Sequence, residues 1–109
     1  MVMWFNVKEA RECLLTKGHV FTLRPKKRRE GHEALMYDGF GKKGDLQVAY
    51  WGQIHVEDVN TMKALNAIVD ESGFASVDDW LKAAGDSRFL YRVELRNNPV
   101  EEQKEDVKP

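Results

Sequence analysis

The densest group of side chains able to bind an anion lies between Arg24 and Arg29, where five of six residues are basic. Lysine and arginine neutralise phosphates, and arginine can also bind one through two parallel hydrogen bonds. Because Pro25 cannot donate to a sheet ladder, we predict that a strand ends here and a loop begins. The functional interpretation is phosphate contact, and the alternative is a loop whose charge only aids solubility. The basic residues of this loop are Arg24, Lys26, Lys27, Arg28 and Arg29.

The segment before this loop, residues 19–24, alternates enough between apolar and polar residues to predict a strand. Thr22 and Arg24 are two residues apart, so they share one strand face and could both project into a cleft. The histidines lack the spacing of a zinc site, and the single Cys13 falls on the apolar face of a predicted helix. We therefore expect no metal and a buried thiol.

Length and composition restrict the class of protein. A chain of 109 residues with 42% hydrophobic and 32% charged residues is typical of one globular domain. No run approaches the roughly 20 apolar residues that span a bilayer, and the first residues lack the features of a signal peptide. One cysteine excludes an internal disulfide framework, so we expect a cytoplasmic protein without membrane contact.

The net charge of −1 is unevenly distributed. Residues 17–44 contain eight lysines and arginines and three acidic residues, a net charge of +5, which leaves −6 for the remainder. This argues against a histone-like nucleic-acid binder but is compatible with a local basic face. Lys42 and Lys43, in a glycine-rich turn, could extend the surface of the basic loop.

Hydrophobic periodicity and turn residues predict an α+β fold. We expect Asn6 to cap the first helix, Ser76 to cap the third, and Gly52 to mark a bulge. Residues 97–109 are polar and acidic, which predicts a disordered tail. The predicted elements are strands over 2–5, 19–24, 33–37, 46–56 and 88–95, and helices over 7–16, 60–71 and 77–84.

Four motifs in this order resemble the ASCH family of the PUA-like superfamily. They are Lys17-Gly18 followed by Thr22-Leu23-Arg24, the pair Gly44-Asp45 before a long strand, the segment from Gly73 to Trp80, and the closing segment from Phe89 to Leu95. The resemblance covers about residues 4–96. It implies one PUA-like domain over residues 1–96, a small mixed or antiparallel β-barrel with helices over its openings, and a cleft for RNA or a modified nucleoside.

The resemblance also implies an enzymatic alternative. Family members that hydrolyse acylated cytidines have a lysine three residues before the threonine, and His19 occupies that position here. A threonine nucleophile needs a neighbouring base, and a histidine could serve in principle. The family's catalytic acid falls near Glu71. The candidate catalytic residues are therefore Thr22, His19 and Glu71, for an amidohydrolase acting on an N4-acetylcytidine-like substrate or for a ribonuclease.

The first hypothesis is a monomeric RNA-binding module without a cofactor. Its basic loop would contact phosphates, and an aromatic side chain, with Tyr37 as the candidate, would stack on a base. Trp4, Phe74 and Trp80 are assigned to packing. The alternatives are the hydrolase and a protein-interaction module that binds an acidic partner. The candidate nucleic-acid-binding residues are Lys17, Arg24, Lys26, Lys27, Arg28, Arg29, Lys42, Lys43 and Tyr37.

Overall fold

A computed structural model describes residues 2–39 and 41–96 as an α+β fold with one curled five-stranded sheet. The strand order is β1-β3-β4-β5-β2, with β1 parallel to β3 and every other pair antiparallel. The strands are β1 (Val2–Trp4), β2 (His19–Arg24), β3 (Gly31–Met36), β4 (Gly44–Gln53) and β5 (Phe89–Leu95). The helices are α1 (Lys8–Lys17), α2 (Val59–Ile68) and α3 (Val77–Ala84), with a 3-10 turn at Val69–Glu71.

The sheet forms a half-barrel, because its two edge strands, β1 and β2, do not pair with each other. An edge strand leaves a row of backbone donors and acceptors without a ladder partner. The region between β1 and β2 is called the seam below. The predicted α+β fold is confirmed, and its sheet is a half-barrel whose ladder is interrupted at the seam.

The predicted bulge at Gly52 is confirmed. The pairing of β4 with β5 shifts register between Tyr50 and Gly52, and Gly52 has φ of 128°, a conformation that glycine adopts without strain. On either side of the sheet, Tyr50 packs on Tyr91 with ring centroids 5.2 Å apart, and Trp51 packs edge-on against Phe21 at 4.7 Å. Tyr50 and Trp51 therefore face opposite sides of the sheet.

Apolar side chains cover both faces of the sheet. On one face, α1 packs against β2 and β5 and contributes Ala10, Cys13 and Leu14 to a buried cluster. On the other face, α2 and α3 contribute a second buried cluster that includes Leu65 and Trp80. Because β2 places alternate side chains on the two covered faces, its four central residues are all buried.

The helix boundaries differ from the predictions at two places. Val7, not Asn6, is the N-cap of α1, and no side chain caps that helix. The second predicted helix ends in the 3-10 turn, which is followed by Ser72. The Ser76 cap is confirmed, since its hydroxyl accepts a hydrogen bond of 3.1 Å from Asp79 N.

The predicted tail, residues 97–109, lies outside the described residues. Within the described ranges, no helix combines the length and the apolar character that crossing a bilayer requires.

Candidate functional site

Two arginine side chains bridge the seam where strand pairing is missing. Arg24, the last residue of β2, donates from Nη1 to the carbonyl oxygen of Trp4 at 2.9 Å. Arg28, in the basic loop, donates from Nη2 to the carbonyl oxygen of Val2 at 2.7 Å. Two guanidinium groups therefore satisfy β1 carbonyls that no strand reaches.

A pocket of about 310 Å³ lies at the seam. Its walls are formed by β1 with the start of α1, by the second half of β2 with Pro25, and by α3 with Phe74 before it and the turn after it. Thr22 and Arg24 both contribute to the wall, and Pro25 continues it toward the basic loop. Thr22 and Arg24, which strand alternation places on one face of β2, therefore line one pocket.

Thr22 is buried, with 7% of its surface exposed, and no described residue is hydrogen-bonded to its hydroxyl. Among the described residues only Arg24 Nε is both fully buried and without a partner, so the Thr22 hydroxyl keeps accessible surface through which water or a ligand can pair with it. Since Thr22 lines the pocket, its hydroxyl is available to a bound molecule.

Arg24 is a cation that lacks a full counter-charge. Burial, and then repulsion from Arg28, lower the pKa of Arg24 to about 10, although Glu33 partly offsets this. Its guanidinium lies 4.7 Å from the centroid of the Phe5 ring, and its Nε is buried without a hydrogen-bond partner in the described part of the chain. An anion bound in the pocket would therefore be stabilised, because it would pair with a positive charge that is only partly balanced.

Arg28 is bound by two buried residues, Glu33 and Tyr91. It binds both carboxylate oxygens of the buried Glu33, with Nε to Oε2 at 3.2 Å and a second, shorter contact from Nη2 to Oε1. Its backbone N–H donates to the hydroxyl of Tyr91, which in turn donates to the Arg28 carbonyl. Phosphate contact is the predicted role of Arg28, and the structure instead gives it an ion pair.

The rest of the basic loop is held in place but exposes its charges. Glu30 accepts a hydrogen bond of 2.9 Å from Tyr50 N, and Lys27 places Nζ 4.9 Å from the Tyr50 ring centroid. Lys26, Lys27 and Arg29 are exposed and make no ion pair with a described residue. These three side chains, called the loop cations below, are the ones free to contact an anion.

The structure separates Lys42, Lys43 and Tyr37 from the basic loop. The loop precedes the first residue of β3, whereas these residues follow its last, and a six-residue strand spans about 17 Å. Tyr37 has Arg11 and Lys43 near its ring, with cation-to-centroid distances of 5.5 and 5.8 Å. The expectation that Lys42 and Lys43 extend the surface of the loop is not met, because β3 lies between them.

His19 and Glu71 lie together, but on the other face of β2 from Thr22. His19 Nε2 is 2.6 Å from Glu71 Oε1, and the register of β2 with β5 is unbroken from His19 to Arg24. Residues three apart on a regular strand point to opposite faces, so His19 does not reach the Thr22 hydroxyl. The arrangement provides no histidine base for a Thr22 nucleophile.

Lys17 and Cys13, which the sequence also singles out, lie away from the pocket wall. Lys17 Nζ donates to the carbonyl oxygen of Asp70 at 2.7 Å, which ties the end of α1 to the 3-10 turn. Cys13 is buried as predicted, and burial raises the pKa of its thiol. The described residues contain no group of three or more histidine, cysteine, aspartate or glutamate side chains placed to hold a metal ion.

Sequence reasoning missed two parts of the pocket. Three aromatic residues assigned to packing, Trp4, Phe74 and Trp80, line the pocket, and Trp4 is 40% exposed. The start of α1, at Val7 and Ala10, lines it as well. The signal for Trp4 is its position in a three-residue strand at the sheet edge, where alternate residues face outward. No sequence signal places the start of α1 beside the end of β2.

Comparisons of the chain with protein-family models, with curated proteins and with solved structures give no match.

Proposed function

We propose that this protein binds single-stranded RNA, with one nucleotide in the seam pocket and neighbouring phosphates on the loop cations. The observation that carries the proposal is that the pocket wall runs directly into the basic loop. Arg24 and Pro25 form part of the pocket wall, and the next residues are the exposed cations of the loop. A strand of RNA leaving the pocket would therefore meet positive charge at once.

The size of the pocket supports a single nucleotide. At about 310 Å³ it lies at the small end of the range for ligand pockets, which is roughly 300 to 1,000 Å³. A base inside a duplex could not enter such a space, whereas an unpaired base can be turned outward and held. The proposal therefore concerns single strands, loops or ends of RNA.

Trp4 supports the binding of a base. Trp4 is 40% exposed and lines the pocket, and stacking of a base on an aromatic ring contributes about 1–3 kcal/mol. Arg24 holds the Trp4 carbonyl, so the backbone that carries this ring is fixed at the seam. In this proposal Trp4 takes the stacking role that the sequence suggests for Tyr37.

The resemblance of the sequence to the ASCH family of PUA-like domains supports the same class of ligand. The motif residues Thr22 and Arg24 lie in the wall of the pocket, while the position that corresponds to the family's lysine, His19, is directed to the opposite face. We therefore propose a PUA-like domain that binds rather than hydrolyses.

The test is a salt titration of RNA binding. Replacement of Lys26, Lys27 and Arg29 by glutamine removes the loop cations while leaving the Arg28–Glu33 pair intact. Removing one phosphate contact lowers the slope of log affinity against log salt by about 0.7 for single strands, so the slope of the triple variant should fall by up to about 2. The measurement is fluorescence anisotropy of a labelled RNA pentamer with a 5′-hydroxyl at several salt concentrations.

The matched control replaces three lysines elsewhere, Lys42, Lys43 and Lys63, by glutamine. This variant has the same net charge as the first, so it separates local contact from the long-range field. We expect it to retain the wild-type slope within about one phosphate contact. An equal fall of the slope in the two variants would contradict a role for the basic loop.

A further inference from the structure

The pocket has one wall made of hydrogen-bond donors. The Thr22 hydroxyl, unpaired and on a residue more than nine-tenths buried, is one of them, and the Arg24 guanidinium is the second. The start of α1 is the third part of this donor wall, because Asn6, Val7 and Ala10 line the same pocket.

The start of α1 adds backbone donors. The first N–H groups of a helix have no partner within the helix, and here no side chain caps them. The aligned peptide dipoles also leave positive charge at this end, which favours an anion. The acidic residue of this first turn, Glu9, is exposed and is not part of the pocket wall.

No acidic side chain balances the donor wall. None of the described residues that line the pocket is an aspartate or glutamate. Glu33 is the carboxylate whose charge raises the pKa of Arg24, and it is already bound by Arg28 through two contacts. A neutral base placed against this wall would leave the positive charge of Arg24 without a counter-charge, whereas an anionic group would pair with it.

From this arrangement we infer that the seam pocket binds the phosphate monoester of a nucleotide, with the phosphate on the donor wall and the base on Trp4. This inference rests on the proposed function and deepens it. A phosphate monoester offers terminal oxygens to accept hydrogen bonds from Thr22, Arg24 and the α1 backbone together. Its source is either a free mononucleotide or the 5′ end of an RNA.

The experiment compares ligands with and without the phosphate. Binding of cytidine, cytidine 5′-monophosphate, and an RNA pentamer with a 5′-hydroxyl or a 5′-phosphate is measured by calorimetry with the full chain. We expect the phosphorylated member of at least one pair to bind about tenfold more tightly or better. A preference in the first pair identifies a mononucleotide, and a preference in the second pair alone identifies an RNA end.

Thr22→Val is the matched variant, because valine keeps the shape of threonine and favours a strand. Thr22→Val should lower the affinity for the phosphorylated ligand about tenfold and the affinity for the unphosphorylated ligand much less. Thr22→Ser should retain the preference for the phosphorylated ligand. Thermal denaturation confirms that each variant is folded. Equal affinity with and without phosphate, or a preference unchanged in Thr22→Val, would overturn the inference.

The outcomes separate this inference from the proposed function. If the 5′-hydroxyl RNA binds with the predicted dependence on the loop cations but the phosphate adds nothing, only the inference fails. If the 5′-hydroxyl RNA does not bind while cytidine 5′-monophosphate does, in a manner that requires the Thr22 hydroxyl, the phosphate site stands and the RNA proposal fails.

Discussion

Arg24 and Arg28 show how residues of one type, four positions apart, acquire different tasks. Both donate to β1 carbonyls across the seam. Arg28 is then neutralised by Glu33, while Arg24 keeps a charge that no carboxylate among the described residues binds directly. A substitution of all the basic residues would therefore confuse loss of stability with loss of binding, which is why the proposed triple variant omits these two.

At this scale we predict that Glu33→Gln destabilises the fold by about 3 kcal/mol, because it leaves Arg28 near a buried site without its counter-charge. Urea denaturation measures the change in the free energy of unfolding. The control is Glu94→Gln, which removes a carboxylate from the exposed pair with Arg92 and should cost less than about 1 kcal/mol. Similar costs for the two variants would refute an essential Arg28–Glu33 pair.

The sequence indicates residue chemistry better than residue partners. Thr22 and Arg24 can be assigned to one hollow because strand alternation is a local rule. The partners of Arg28 cannot be assigned in this way, since Val2 and Tyr91 are distant in sequence and meet it only when the sheet curls. The assignment of Trp4 to packing is wrong because an edge strand exposes alternate residues, although tryptophan is usually well buried.

At the scale of elements, the segment after the 3-10 turn fixes α1 against the rest of the protein. Gly73 has φ of 90°, and a Cβ built on it would lie 2.1 Å from the backbone oxygen of Glu9. Backbone cannot yield as a flexible side chain can, so only glycine fits here. This contact holds the helix whose first turn forms part of the donor wall.

We predict that Gly73→Ala destabilises the protein by at least about 3 kcal/mol, through positive-φ strain and the clash with Glu9. The control is Gly18→Ala, which has a similar φ of 83° but no atom within 4 Å of the added Cβ, so it isolates the strain at about 1 kcal/mol. Thermal unfolding of both variants tests this. Equal effects would show that the close approach to α1 is unimportant.

The element types, unlike their ends, follow from the sequence. Every predicted strand and helix within the described residues has a counterpart, because periodicity and glycine positions are local signals. The predicted cap of α1 is wrong, because Asn6 is a strong capping residue and yet the helix begins one residue later. That offset leaves the helix start uncapped beside the pocket, which a local rule could not foresee.

At the scale of the whole molecule, the curl of the sheet decides which cations act together. The positive residues between 24 and 43 form one group in the sequence, but the fold places them before and after β3. The loop cations adjoin the seam pocket, while Lys43 and Arg11 surround Tyr37 at the other end. Net charge along the chain could not predict this division, because it depends on strand direction.

The most direct test of a nucleotide site at the seam is chemical-shift mapping of 15N-labelled protein with a single-stranded RNA pentamer. We predict the largest changes at the amides of Thr22 and Ala10, at the indole N–H of Trp4, and at the amides of Lys26 and Lys27. Changes confined to Tyr37, Lys42 and Lys43, with Thr22 and Trp4 unmoved, would contradict it.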